Sequence, residues 1–126
     1  MAVVTPDATI TIALSVSDRH KSAAWYEKML GFGVLYHMDE AGWSEIATNT
    51  PGVTIGLGEQ AAPTPGNAVP VFGVQDIAAA RSAMEAEGVE FDGETETIPD
   101  MVSLATFFDP DRNALMLAQN LAAPPA

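Results

Sequence analysis

The stretch ITIALSVSD, residues 10–18, alternates apolar with small or polar side chains and stops at an aspartate; AVPVFGVQD, residues 68–76, repeats the pattern. In the first, Ile12, Leu14 and Val16 fall on one side of an extended chain and Thr11, Ala13 and Ser15 on the other, the two-residue period of a half-buried strand. Both end in Val-x-Asp (Val16 and Asp18, Val74 and Asp76). An aspartate there can accept a hydrogen bond from the first free N–H groups of a helix. Helical spacing follows in each case. Ala23, Tyr26, Met29 and Leu30 recur within Arg19 to Leu30 before Gly31, and the Ala-rich IAAARSAMEAE (77–87) runs to Gly88.

Beyond the first helix the chain reads as short strands: FGVLYHM (32–38), GWSEIAT (42–48) after the turn-like DEAG, and GVTIGLGE (52–59) after NTPG. Beyond the second come VEFDG (89–93), MVSLATFFD (101–109) and, after the turn DPDRN, ALMLAQ (114–119). The expected architecture is α+β: one domain over 1–126, built of two βαβββ units forming a cupped mixed sheet. The first unit covers about 8–59, QAAPTPGN (60–67) is a linker, the second covers about 68–120, and 121–126 is a tail without pattern. One such unit leaves a sheet face uncovered, so two share a core. A chance recurrence of Val-x-Asp before helices would leave the matching order of all ten segments unexplained.

Composition bounds the function. A net charge of −12 and a pI of about 4.1 repel phosphate backbones and anionic membranes, so neither nucleic acid nor a membrane surface is an expected partner. The acids crowd between Glu85 and Asp100, where seven occur without a Lys or Arg, and read as a solvated face or a rim attracting cations. With no cysteine there is no disulfide, thiolate metal site or Cys nucleophile. No run approaches the roughly 18 apolar residues of a spanning helix, and Met1 to Asp7 lacks a basic-then-apolar leader, so a cytoplasmic location is expected.

SVSDRHKSAAWYEKMLGF (15–32) resembles the first strand-to-helix signature of the vicinal oxygen chelate superfamily, in which an aromatic pair, here Trp25 and Tyr26, precedes Leu-Gly-Phe. FFDPDRNALMLAQ (107–119) resembles its closing Asp-Pro-Asp-Gly-Asn hairpin, with Arg112 where the family has Gly. The resemblance covers roughly residues 8–120 and implies the glyoxalase/bleomycin resistance-like fold. The superfamily includes glyoxalase I, extradiol dioxygenases, epimerases, metal-dependent fosfomycin resistance enzymes and metal-free antibiotic-binding proteins, so the site has to decide the function.

In metal-dependent members a divalent ion is held by His, Gln or Glu from four strands. Counted seven residues back from the helix-capping aspartates, two of those positions fall on Thr11 and Val69; the others fall on Gly56 and Met116. None offers an imidazole or carboxylate, so no metal and no cofactor is expected. His20, in the first helical turn, is expected at the surface. His37 and Glu45 are possible polar groups of a pocket wall.

The strand faces add a shape. Thr11, Ala13, Ser15, Thr54, Gly56, Gly58, Val69, Val71, Gly73, Ala114, Met116 and Ala118 should point into the cup, and all but Met116 are Val or smaller. Either a neighbouring subunit fills that space or a bulky ligand does. Tyr36, Trp43 and Phe108 could stack on a flat ring, and Glu45, two residues from Trp43 and on its face, could meet a cationic or hydroxyl group. The expected ligand-binding set is thus Thr11, Tyr36, His37, Trp43, Glu45, Gly56, Val69, Phe108 and Met116, with no catalytic residue assigned. The expected function is metal-independent binding of a bulky, aromatic or cationic small molecule, of the antibiotic-sequestration type, by a homodimer. A glyoxalase-like or cofactor-free isomerase or lyase using Glu45 or His37 as base is the alternative.

Overall fold

A computed structural model describes residues 2–110, 112 and 114–122. Its elements run β1 (Ile10–Val16), α1 (Arg19–Leu30), β2 (Gly33–Met38), β3 (Trp43–Ala47), β4 (Val53–Glu59), β5 (Val69–Gly73), α2 (Ile77–Ala86), β6 (Glu96–Ile98), β7 (Val102–Phe108) and β8 (Ala114–Asn120). The fold is of the α+β class, the βαβββ order occurring twice. The chain divides into two compact units: the first is Ile10–Pro70, the second Val71 onward together with the segment ending at Thr9. The segment before β1 therefore belongs to the second unit. Asp7 N–H donates to Gly73 O at 2.7 Å, Gln75 Nε2 donates to Asp7 Oδ1 at 2.9 Å, and Val4 packs on that unit's core.

The first unit's strands are ordered β2-β3-β4-β1, with β1 parallel to β4 and the other pairs antiparallel. Asp18 Oδ1 accepts from Lys21 N–H at 3.0 Å to start α1, and Gly31 ends it at φ 73°, where a side chain would be strained. Alternation sends Leu14, Val16, Ile46, Ile55 and Leu57 to one face, where they close on Ala23, Tyr26 and Phe32. Each such side chain withdrawn from water contributes about 1.5–3 kcal/mol. Thr11, Ala13, Ser15, Trp43, Glu45, Thr54, Gly56 and Gly58 are left on the other face. The linker is anchored: Asn67 Oδ1 accepts from Ser15 N–H at 2.9 Å and its Nδ2 donates to Ser15 O at 3.2 Å, so an amide side chain stands in for a strand's backbone.

The second unit is ordered β5-β8-β7-β6, with β5 parallel to β8. Asp76 Oδ1 accepts from Ala79 N–H at 3.0 Å, and Val74, Ile77, Ala80, Ala105 and Leu117 form the core with Met84, Phe91 and Phe107 around it. One strand expectation is corrected here. VEFDG is not a strand: Phe91 makes an isolated bridge to Phe107, and β6 lies farther on, at Glu96–Ile98. Phe91 behaves as a packed aromatic, with the Arg81 guanidinium 4.5 Å above its ring. At the closing hairpin Arg112 takes φ 69° and its N–H donates to Asp109 O at 3.0 Å, so it adopts the left-handed backbone that glycine favours. Asp111 and Asn113 lie outside the described residues, as do residues 123–126 of the tail.

Candidate functional site

The open face of the first unit gathers five of the expected residues around one carboxylate. In the strand register Tyr36, Glu45 and Gly56 lie side by side, and Thr11 lies beside Thr54. Trp43 Nε1 donates to Glu45 Oε1 at 2.7 Å and Thr54 Oγ1 donates to Glu45 Oε2 at 2.6 Å. These are charge-assisted contacts of good length. Tyr36 OH approaches Oε1 at 3.4 Å, and Thr11 Oγ1 approaches Oε2 at 3.5 Å. Thr11 and Thr54 hydroxyls are 3.0 Å apart. A hydroxyl has one proton, and Thr54 commits its own to Glu45, so Thr11 is the donor in that pair. The carboxylate thus has two firm donors, Trp43 and Thr54, and one long, replaceable one, Tyr36, while Thr11 supports it through Thr54.

Gly56 explains how Trp43 reaches Glu45. A Cβ at position 56 would lie 1.9 Å from Trp43 Cζ2, and one at Gly58 would lie 3.6 Å from Cζ3. The indole occupies space that two missing side chains leave on β4. Burial raises the Tyr36 phenol above its ordinary pKa, and the Glu45 charge adds to the rise, so Tyr36 stays protonated as a donor.

His37 does not join this group. It neighbours Tyr36 in the strand and so points to the opposite face, beside α1. There His37 Nδ1 shares a hydrogen bond with Ser44 Oγ at 2.6 Å, its ring stacks on His20 at 4.0 Å, and His20 Nε2 lies 3.0 Å from Asp39 Oδ1. Buried Arg19 organises this side. Its Nη1 donates to Trp43 O at 3.0 Å and Ser44 Oγ at 2.8 Å, and its Nη2 donates to Asp39 Oδ1 at 2.9 Å. Arg19 Nε has no hydrogen bond, lying 3.6 Å from Glu59 Oε1 within ion-pair reach only. The hydrogen bond from Arg19, then that from His20, holds the Asp39 carboxyl below its ordinary pKa. His20 is exposed as expected, yet partnered. Arg19, Ser44 and Asp39 were not singled out from the sequence; a Ser between Trp43 and Glu45 is the one signal that β3's other face is polar.

The remaining expected residues belong to another setting. Met116 pairs with Val71 and Thr106, and Phe108 pairs with Ala114, on the face of the second unit turned away from α2. Phe108 carries the Arg112 guanidinium 4.3 Å from its ring centre. Val69, at the start of β5, shares Val71's side by alternation.

These donors do not fit a divalent cation. Val69 and Gly56 offer no donor atom, Met116 offers a soft thioether, and the Thr11 hydroxyl is tied to Thr54. Among the described residues no three His, Cys, Asp or Glu side chains come together as a ligand set. Among those residues, too, no helix is long and apolar enough to cross a membrane.

Comparison with known proteins agrees with the fold. Residues 10–117 match the model of the Glyoxalase/Bleomycin resistance protein/Dioxygenase superfamily. No curated protein matches the chain. Among solved structures, methylmalonyl-CoA epimerase from Mycobacterium tuberculosis superposes with a TM-score of 0.75 at 16% identity, covering 98% of this chain and 93% of that one. A variant of the Streptomyces coelicolor methylmalonyl-CoA epimerase, in complex with 2-nitronate-propionyl-CoA, gives 0.67 at 17% identity, with 96% and 100% covered. A superfamily member from Vibrio splendidus 12B01 gives 0.63 at 18%, with 92% and 100% covered. With its twice-repeated βαβββ order and a family match from the first strand to the last, this chain belongs to the glyoxalase/bleomycin resistance protein/dioxygenase superfamily.

Proposed function

We propose that the protein binds a bulky small molecule without a metal ion, on the open face of the first unit around Glu45. One observation carries the reading: Glu45 is held by the donors of Trp43, Thr54 and Tyr36, with Thr11 behind Thr54, in place of cationic partners or metal-binding neighbours. The long contact from Tyr36 can give way to a ligand's ammonium, amidinium or hydroxyl group at little cost. The indole beside them supplies a flat surface for an aromatic ring. A net charge of −12 attracts cations to the protein as a whole. Sequestration of a cationic aromatic compound, such as an antibiotic, by a cytoplasmic homodimer is the role this chemistry supports.

Thermal unfolding with proflavine, a planar cation, and acridone, its uncharged analogue, tests the reading. Proflavine at about 100 times its dissociation constant should stabilise the protein by about 2.7 kcal/mol. Acridone should give less, and Glu45→Gln should remove the difference. Prior dialysis against a chelator should change nothing. A proflavine effect that survives Glu45→Gln, or vanishes with the chelator, defeats the proposal.

A second reading has its own support, since structures of epimerases superpose on this chain. A metal-independent isomerase would use Glu45 as the base that takes a proton from carbon. The indole N–H of Trp43 and the hydroxyl of Thr54 already occupy both oxygens of that carboxylate at short distance, so binding is the better-supported role.

A further inference from the structure

The five Lys and Arg residues divide into two groups. Arg19, Arg81 and Arg112 each have a carboxylate partner: Asp39, Glu85 and Glu90. Lys21 and Lys28 are exposed and make no ion pair among the described residues. Both lie on α1, and the spacing 21, 25, 28, 29 places them on one outward side with Trp25 and Met29. Trp25 is 52% and Met29 56% exposed, and the Trp25 ring stands edge-on to Tyr26 at 5.1 Å. This is a cationic frame around two large apolar side chains in a protein of charge −12. Nothing in the first unit's core requires it, because Ala23 and Tyr26 supply the packed side of the helix.

The second unit carries the opposite surface. β6 is the edge of its half-sheet, paired with β7 and exposed along its whole length. Ile98 is 41% exposed and shares a strand face with Glu96, while Thr97 turns to Ser103. Glu94 and Asp100 flank the strand, are exposed, and make no ion pair among the described residues. An apolar side chain framed by acids on β6 answers two apolar side chains framed by lysines on α1. Charged edge strands resist strand addition. They leave side-chain docking of a helix open.

We propose that the outward side of α1 is a docking surface for the acidic β6 edge of a second copy of this chain. Trp25 and Met29 would cover Ile98, with Lys21 and Lys28 meeting Glu94, Glu96 and Asp100. Two copies of like net charge repel at long range. At physiological ionic strength the screening length is about 8 Å, so the net repulsion is damped while contacting charges still attract. The contact therefore forms at physiological salt, and opposite charges set its register.

Charge exchange tests it, read by sedimentation at physiological ionic strength. Wild type should self-associate. Lys21→Glu with Lys28→Glu should weaken self-association by about tenfold or more, as should Glu94→Lys with Glu96→Lys alone. An equimolar mixture of the two double variants should recover association, because each supplies the face the other lacks. Far-ultraviolet circular dichroism confirms that each variant is folded. A monomeric wild type at the highest attainable concentration overturns the proposal. So does self-association that both variants leave intact, which would place the interface elsewhere, or a mixture that fails to recover it. These residues lie outside the Glu45 group, so proflavine binding reports separately on that site.

Discussion

In the first unit the helix-opening N–H, on Arg19, is taken by Glu59 at the end of β4, 3.1 Å away; in the second, that of Ile77 is taken by Gln119 near the end of β8, at 2.9 Å. Val16 O accepts from Gln60 N–H just past β4, and Val74 N–H donates to Ala118 on β8. Leu57 and Leu117 are both fully buried beneath their helices. The scaffold is duplicated down to its capping hydrogen bonds. The open faces are not. Where β4 carries Thr54, Gly56 and Gly58 beside Glu45, β8 carries Ala114, Met116 and Ala118 beside Thr106 and Phe108. One unit carries a polar group with an indole seated over glycines, the other a largely apolar face. Helix-side residues are fixed by a shared packing problem, whereas open-face residues are free to specialise.

The sharpest way to break this contrast is Gly56→Ala. The new methyl overlaps the indole, so Trp43 has to leave Glu45, and stability should fall by about 2 kcal/mol in denaturant titration, with a change in tryptophan emission. Met116 offers no counterpart, as the second unit already holds a long side chain there. An unchanged emission spectrum would mean that Gly56 does not seat the indole.

The capping aspartates sharpen the likeness. Asp18→Ala and Asp76→Ala should each cost about 1 kcal/mol, and by the same amount within error, since each accepts one N–H at 3.0 Å. Unequal losses would show that the duplicated helix starts are not energetically equivalent.

The smallest effect concerns Asp39. Its carboxyl is held below the ordinary range by Arg19 first and His20 second, so it adds stability when ionised and loses that contribution as pH falls through its lowered value. Asp39→Asn should be slightly less stable than wild type near neutrality, and the two should converge in strong acid. Parallel stability–pH curves would contradict the assignment.

Much of the fold was legible because its signals are local. Val-x-Asp before each helix, Gly31 after the first, and strict alternation in β1 and β4 each state their structure within a few residues. β6 was not legible: VEFDG has strand-like composition, but Phe91 is drawn onto Phe107 and under Arg81, which lie far away in sequence. The expected start of the first unit at about residue 8 likewise misses that the segment ending at Thr9 groups with the second unit, where Asp7 N–H donates to Gly73 O. Parity told that Trp43, Glu45, Thr11 and Gly56 share a face. It could equally have told that His37, one residue from Tyr36, does not.

The sequence by itself determined the twofold βαβββ order and the faces of the strands, because periodicity and caps are written locally. The tertiary structure alone decided that Trp43 fills the space over Gly56, that Glu45 is met by the donors of Trp43, Thr54 and Tyr36, and that Arg19 is buried against Ser44 with His37 on the same side. Those outcomes depend on which strands lie side by side and in what register, and register is settled only when the helix-side core packs.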